Sequence, residues 1–270
     1  MPYYERIRAS DHVFHLFEPM GVGVTLMVGN RRALLMDTGY GVSNLAAEVR
    51  DILSGAGKGI ELTVINSHGH FDHAGGNYQF PEILISPSDF PVLEKYTTPF
   101  WLERNVNRTR ERNLLPADYE SYHIVRPDWG KPVPLAQDTF DLGGVTAKII
   151  PMSGHTPGSV GILVEEDRVL LVGDNWNPTT WIFFDECAPM SAYRNGLRAA
   201  LKLPFDIVVS PHSPQVRPRS GLETFVRALD EISLEASVKV VISPYEAIDT
   251  RSYKGEGSGE LVFDANKFDI

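Results

Sequence analysis

The chain has 270 residues, 43% of them hydrophobic, enough for a substantial buried core. A formal charge of −10 would repel a polyanion, which excludes generic nucleic-acid binding and favours a small-molecule substrate. With one cysteine, Cys187, there is neither an internal disulfide nor a cysteine metal cluster, so any metal is held by histidine and carboxylate. No stretch approaches the ~20 apolar residues of a membrane span, and the opening MPYYERIRASDHVFHLF lacks a basic-then-apolar leader. These features predict a cytoplasmic protein with no membrane partner.

In chain order, VTLMV (24–28), Gly29-Asn30 and ALLMD (33–37) read as a hairpin, because Asn and Gly tolerate the backbone of tight turns. Leu45, Val49 and Leu53, four apart, predict a helix from about Ser43 to Leu53. A strand LTVIN (62–66), a His-rich loop and a short strand EILIS (82–86) follow. Residues 87–131 form an aromatic and arginine-rich insert, with Phe100, Trp101, Arg104, Arg108, Arg110, Arg112, Tyr119, Tyr122 and Trp129, much of it expected to be helical. Strands return at 145–151, 161–166, 168–174 and 206–210, with helices near Ser191–Leu201 and Gly221–Ala236 before a Gly-rich tail. Strand runs mixed with helices in both halves predict sheets sandwiched between helices.

Five of the eight histidines stand shortly after an apolar strand, where segments distant in sequence converge on one crevice. In SHGHFDHAGG (67–76), His68 and His70 can point to one side and share an ion, while Asp72 and His73 face a second. His155, in SGHTPGS, would complete a three-histidine set with His68 and His70. His212, in SPHSP, would join Asp72 and His73, and Asp174, in VGDN, could give one carboxylate oxygen to each ion. Any one of these could be a hydrogen-bonded strand-end histidine, but the ordered set makes coincidence improbable. His12, His15 and His123 lack such contexts, and Cys187 reads as a small buried hydrophobe.

This ordered set resembles the metallo-β-lactamase superfamily over about residues 12–232. The resemblance implies an α/β (α+β) fold, a four-layer αββα sandwich in one domain over 1–270, with the insert a candidate lid. It implies two divalent ions, zinc expected and iron or manganese the alternatives, held by His68, His70 and His155 and by Asp72, His73 and His212 with Asp174 between them. Asp37, in DTGYG, matches an outer-shell group, although an Asp before Thr-Gly is also a turn former. An aspartate at 174 departs from true β-lactamases, a histidine at 70 from the diiron flavoprotein branch, and Asn177 replaces the tyrosine of lactonases that resemble this chain. The glyoxalase II and lactonase side of the superfamily is the better match.

Metal-activated water, with Asp72 orienting the hydroxide, would then attack an ester, thioester or lactone. Phosphodiester cleavage is the alternative on the same site, and a mononuclear iron persulfide dioxygenase, which would use only three ligands, is the alternative of another class. Intact ligands argue against a non-catalytic binding protein. Substrate choice falls to the surrounding loops, with Phe100, Trp101, Trp176, Asn177 and Trp181 as pocket candidates and an insert arginine, or Arg217 or Arg219, for an anionic group. Homo-oligomerisation is compatible with the sequence.

Overall fold

The structure is a computed structural model that describes residues 2–117, 119 and 130–270. Its first sheet takes seven strands in chain order: β1 (Glu5–Arg8), β2 (Val13–Phe17), β3 (Gly23–Val28), β4 (Arg32–Met36), β5 (Glu61–Ile65), β6 (Glu82–Ile85) and β7 (Lys131–Pro134). The strands β1 to β4 pair antiparallel, and β4 to β7 pair parallel. The second sheet is built from β8 (Thr139–Asp141), β9 (Thr146–Pro151), β10 (Val160–Val164), β11 (Val169–Leu171), β13 (Ile207–Val209) and β14 (Arg217–Pro218), in the order β14-β13-β11-β10-β9-β8.

Alternation along the strands divides the core. Met27, Leu34, Met36 and Ile65 of the first sheet pack against Ala147, Ile162, Val169 and Leu171 of the second. The residues between them, Val24, Leu26, Leu35 and Val64, face the opposite way onto Leu45, Val49 and Leu53 of helix α1 (Leu45–Ala56). That helix begins where the Asn44 side chain accepts from the Ala47 N–H. On the far side of the second sheet, Leu163, Leu170 and Val208 pack against Tyr193 and Leu197 and against Leu222 and Phe225. These come from the helices Met190–Ala200 and Arg219–Ala228. The layers therefore run helix, sheet, sheet, helix, the αββα order that the resemblance implies.

The short helix α2 (Phe71–Ala74) follows β5, and the insert begins with α3 (Phe90–Tyr96) and α4 (Pro99–Glu111) and ends by adding β7 to the first sheet. Tyr122, His123 and Trp129 of the insert lie outside the described residues. The last two helices are α5 (Met190–Ala200) and α6 (Arg219–Ala228).

Two expectations fail at the C-terminal side. The last helix stops at Ala228 rather than Ala236, because the chain turns away and Arg251 takes the Leu234 carbonyl. The Gly-rich tail supplies three strands of a third sheet, in which β12 (Thr179–Ile182) pairs parallel with β17 (Glu260–Asp264), followed by β16 (Thr250–Tyr253) and β15 (Val238–Lys239). No helix among the described residues is long and apolar enough to cross a membrane.

Candidate metal centre

Four strands deliver the predicted ligands. His68 and His70 follow β5, His155 follows β9, Asp174 follows β11 and His212 follows β13. His70 is still extended at ψ 153°, and the one-turn helix α2 then places Asp72 and His73. The structure brings all seven residues together. His155 Nε2 lies 2.9 Å from His70 Nδ1. His73 Nε2 is 3.3 Å from Asp174 Oδ1 and 3.9 Å from Asp72 Oδ1. His212 Nε2 is 3.7 Å from Asp72 Oδ2. A single atom, Asp174 Oδ2, stands 3.4 Å from His155 Nε2 and 3.3 Å from His212 Nε2. Ligand atoms within 4.8 Å of one another form three sets: His68, His70 and His155; His68, His73 and Asp174; and Asp72, His73 and His212.

The other nitrogen of each histidine is tied down, which fixes the ring. His68 Nδ1 meets Ser67 Oγ at 2.9 Å, His155 Nδ1 the Trp181 carbonyl at 2.6 Å, and His212 Nδ1 the Gly21 carbonyl at 2.9 Å. His73 Nδ1 meets Asp37 Oδ2 at 3.0 Å, and Asp37 also accepts from the Ser67 N–H and hydroxyl at 2.7 Å. Asp37 is therefore a buried clamp between two ligand segments, held at φ 69° by those bonds. Asn177 performs a similar task on the other side: its Nδ2 donates to Asp174 Oδ1, and its Oδ1 accepts from Ser210 Oγ and the His212 N–H.

Two positioning residues were not visible in the sequence. His70 Nε2 meets Glu186 Oε1 at 2.9 Å, and Lys95 bonds the other oxygen of that carboxylate. An acidic residue inside WIFFDECAPM was the available signal. Asp89 reads as a helix N-cap, yet its side chain caps nothing on α3. It accepts instead from Gly69 N, Thr156 Oγ1 and Gly158 N, joining the His68–His70 segment to the His155 loop.

Electrostatics divides the histidines. Burial drives the His68 pKa well below its usual value, and His155 down to about 4, so both are held neutral with a free lone pair. Burial opposes protonation of His73 and His212 as well, but the facing carboxylates win: Asp174, Asp72 and Asp37 raise His73, and Asp174 and Asp72 lift His212 to about 9. This half of the cluster calls for positive charge. Nε2 of neutral His68 is buried with no hydrogen-bond partner, an arrangement that costs about 1–3 kcal/mol unless something accepts the lone pair. Neutral His68 and His155, one with an orphaned lone pair, beside a half-cluster of carboxylates that calls for positive charge, fit divalent cations of the zinc type.

The cluster opens into a cleft of about 520 Å³ lined by Asp72, Asp174 and His212, by Asn177 and Trp181, and by Arg104 and Arg108. The other pocket candidates are corrected. Trp176 is a core residue, 1% exposed against Phe225 under α6. Phe100 is 66% exposed and does not line the cleft. Trp101 lies behind the wall, stacked on the lining residue Phe71 at 4.9 Å. Tyr245, from the tail, lines the cleft and was unforeseen. Arg217 spends its charge over the Trp176 ring and Arg219 bonds Glu223 and the Leu203 carbonyl. His12 pairs with Asp167, and His15 with Thr25 and the Ser213 carbonyl, so neither joins the cluster.

Comparison with known proteins agrees with this geometry. An acyl-coenzyme A thioesterase MBLAC2 from Gallus gallus is 29% identical over 162 residues, 56% of each chain, so the match spans little more than half of that relative. An atrochrysone carboxyl ACP thioesterase from Aspergillus fumigatus is 27% identical over 59% of this chain and 30% of its own. Among solved structures, a metallo-beta-lactamase from Pontibacter korlensis superposes with a TM-score of 0.57 at 18% identity, covering 85% of this chain and all of that one. Residues 18–234 match the model of the metallo-beta-lactamase superfamily, and the chain belongs to that superfamily.

Proposed function

We propose that the protein is a cytoplasmic hydrolase of small thioesters and related esters that works with two divalent ions, zinc by the character of the donors. One ion would be held by His68, His70 and His155, the other by Asp72, His73 and His212, with Asp174 serving both. The observation that carries this reading is Asp174 Oδ2, within 3.4 Å of a ligand nitrogen from each set. When bound, such a pair acidifies water to near neutrality and polarises the oxygen of the bond under attack.

The chain's own residues do the rest. Asp72, which lines the cleft and has one oxygen toward each of His73 and His212, is placed to accept a hydrogen bond from the attacking water and orient it. Asn177 fixes the Asp174 carboxylate and the His212 loop together. Burial holds the hydroxyls of Tyr40 and Tyr245, which line the cleft, in their protonated form, while Tyr96 hydrogen-bonds Glu186. A thiol leaves with a pKa of about 8.5, so a thioester needs no strong acid to protonate its leaving group. That suits a cleft whose neutral donors are tyrosines.

Thioesterase names among the relatives support the substrate class, and the complete set Asp72, His73 and His212 speaks against a single-iron dioxygenase. The test is a panel of a neutral thioester, an aryl ester, a lactone and bis-p-nitrophenyl phosphate. Thioester turnover should lead, and turnover of the phosphodiester alone would overturn the assignment.

A further inference from the structure

Arg104 and Arg108 stand one turn apart on α4, both half-buried and both lining the cleft that holds the ligand cluster. Acidic residues outnumber basic ones by ten in this chain, and several arginines pair with them: Arg6 with Glu48 and Asp51, and Arg168 with Asp206. Arg104 and Arg108 have no carboxylate partner among the described residues. Arg104 instead lies with its Cζ 4.9 Å from the Trp101 ring centre and 5.8 Å from that of Phe71, and these two rings are themselves stacked. Packing a guanidinium on aromatic rings restrains it while leaving N–H groups at its edge free to donate. The carboxylates nearest the cleft, Asp72 and Asp174, belong to the proposed ion sites. A second group of lining residues, Trp181, Phe184 and Tyr245, forms a contiguous aromatic surface, with Phe184 6.1 Å from Trp181 and 5.3 Å from Tyr245.

We propose that Arg104 and Arg108 form a subsite for an oxyanion group, a carboxylate or a phosphate, carried by the substrate away from the bond that is cut, while the aromatic surface takes an apolar portion. Two arginines one helical turn apart can share one such group through paired charge-assisted hydrogen bonds. The subsite selects substrates that combine an acyl or aryl part with an anionic handle. The proposal rests on the thioester hydrolase reading.

The test compares three S-acetyl thioesters: the neutral N-acetylcysteamine derivative, a 3-mercaptopropionate carrying a carboxylate, and 4′-phosphopantetheine carrying a phosphate. Each is assayed on wild type, Arg104→Met, Arg108→Met and Arg104→Lys, with metal content measured alongside. In parallel, calorimetry follows binding of the matching S-ethyl thioethers, which cannot be hydrolysed. Wild type should favour an anionic thioester over the neutral one through KM, and either Met variant should cut that preference about ten- to a hundredfold, the scale of hydrogen bonds to a charged partner. Arg104→Lys should recover part of it, and whichever of the two anionic probes shows the larger effect identifies the group. An unchanged anionic-to-neutral ratio in both Met variants, with unchanged thioether affinity, would overturn the subsite even if thioesters are hydrolysed. Arginine-dependent thioether binding with no thioester turnover would keep the subsite and remove the thioesterase assignment.

Discussion

Replacing Asp89 by Asn tests how the ligand loops are held. One carboxylate oxygen of Asp89 takes the Gly158 N–H at 2.7 Å; the other takes the Gly69 N–H and the Thr156 hydroxyl, each at 2.8 Å. In either orientation the new amide presents its NH2 to a backbone N–H, so at least one buried donor loses its acceptor. A lost bond to a charged acceptor is worth about 1.5–3 kcal/mol. Burial raises the Asp89 pKa in spite of its three donors, so removing the charge relieves part of that loss. A destabilisation of about 2 kcal/mol is expected, or roughly 3–4 °C in the melting temperature of a chain this long. Because Gly69 lies between His68 and His70, and Thr156 follows His155, the set His68, His70 and His155 should weaken by about 10- to 100-fold, as when outer partners of ligands are removed. The set Asp72, His73 and His212, tied to Asp37 and the Gly21 carbonyl, should hold. Calorimetric unfolding and stepwise zinc competition with a chelator measure both. Equal weakening of the two sets, or a loss below about 0.5 kcal/mol, would refute the tether, since an ordinary surface change costs no more.

Three further outcomes follow from the same geometry. Asp174→Ala should lower occupancy of both ion sets and activity together; elemental analysis showing two ions and full activity would contradict its shared role. Glu186→Gln should loosen His70 and lower affinity of the first set by about tenfold while leaving the second unchanged, and a zinc titration identical to wild type would count against it. Burial lifts the Glu18 carboxyl from 4.5 to about 8. Folding therefore favours its protonated form, a contribution fully present below about pH 4.5 and lost as pH rises through about 8, on the order of 5 kcal/mol at most. In metal-free protein, denaturant unfolding of Glu18→Gln should be flatter than wild type between pH 5 and 8 and more stable at pH 8; parallel profiles would contradict the assignment.

The ligand set was legible because strand ends converge: an apolar run followed within a few residues by His or Asp recurs at residues 68, 155, 174 and 212, and the αββα order follows from the strands that carry them. Partners joined only in space were not. Asp89 and Glu186 act across 67 and 116 residues on Thr156 and His70, and no local pattern records that. The same blindness hid the third sheet, whose edge strand β12 pairs with a strand some 80 residues later through short, partly polar segments. It also left Trp176 and Trp181 together as pocket candidates, although only Trp181 lines the cleft. On β12 burial alternates, so Trp181 is turned outward between buried Thr180 and Ile182, whereas Trp176 precedes the strand and fills the core under α6. Knowing that 179–182 is a strand would have separated them.

In the proposed mechanism two ion sets meet at Asp174 and cut a thioester together. Its most direct test is titration of metal-free protein with zinc, counting bound ions by elemental analysis and measuring hydrolysis of a neutral thioester at each step. Two ions per chain, with activity rising to its full value only as the second set fills, is the predicted result. Saturation at one ion, or undiminished hydrolysis in the metal-free protein, would contradict it.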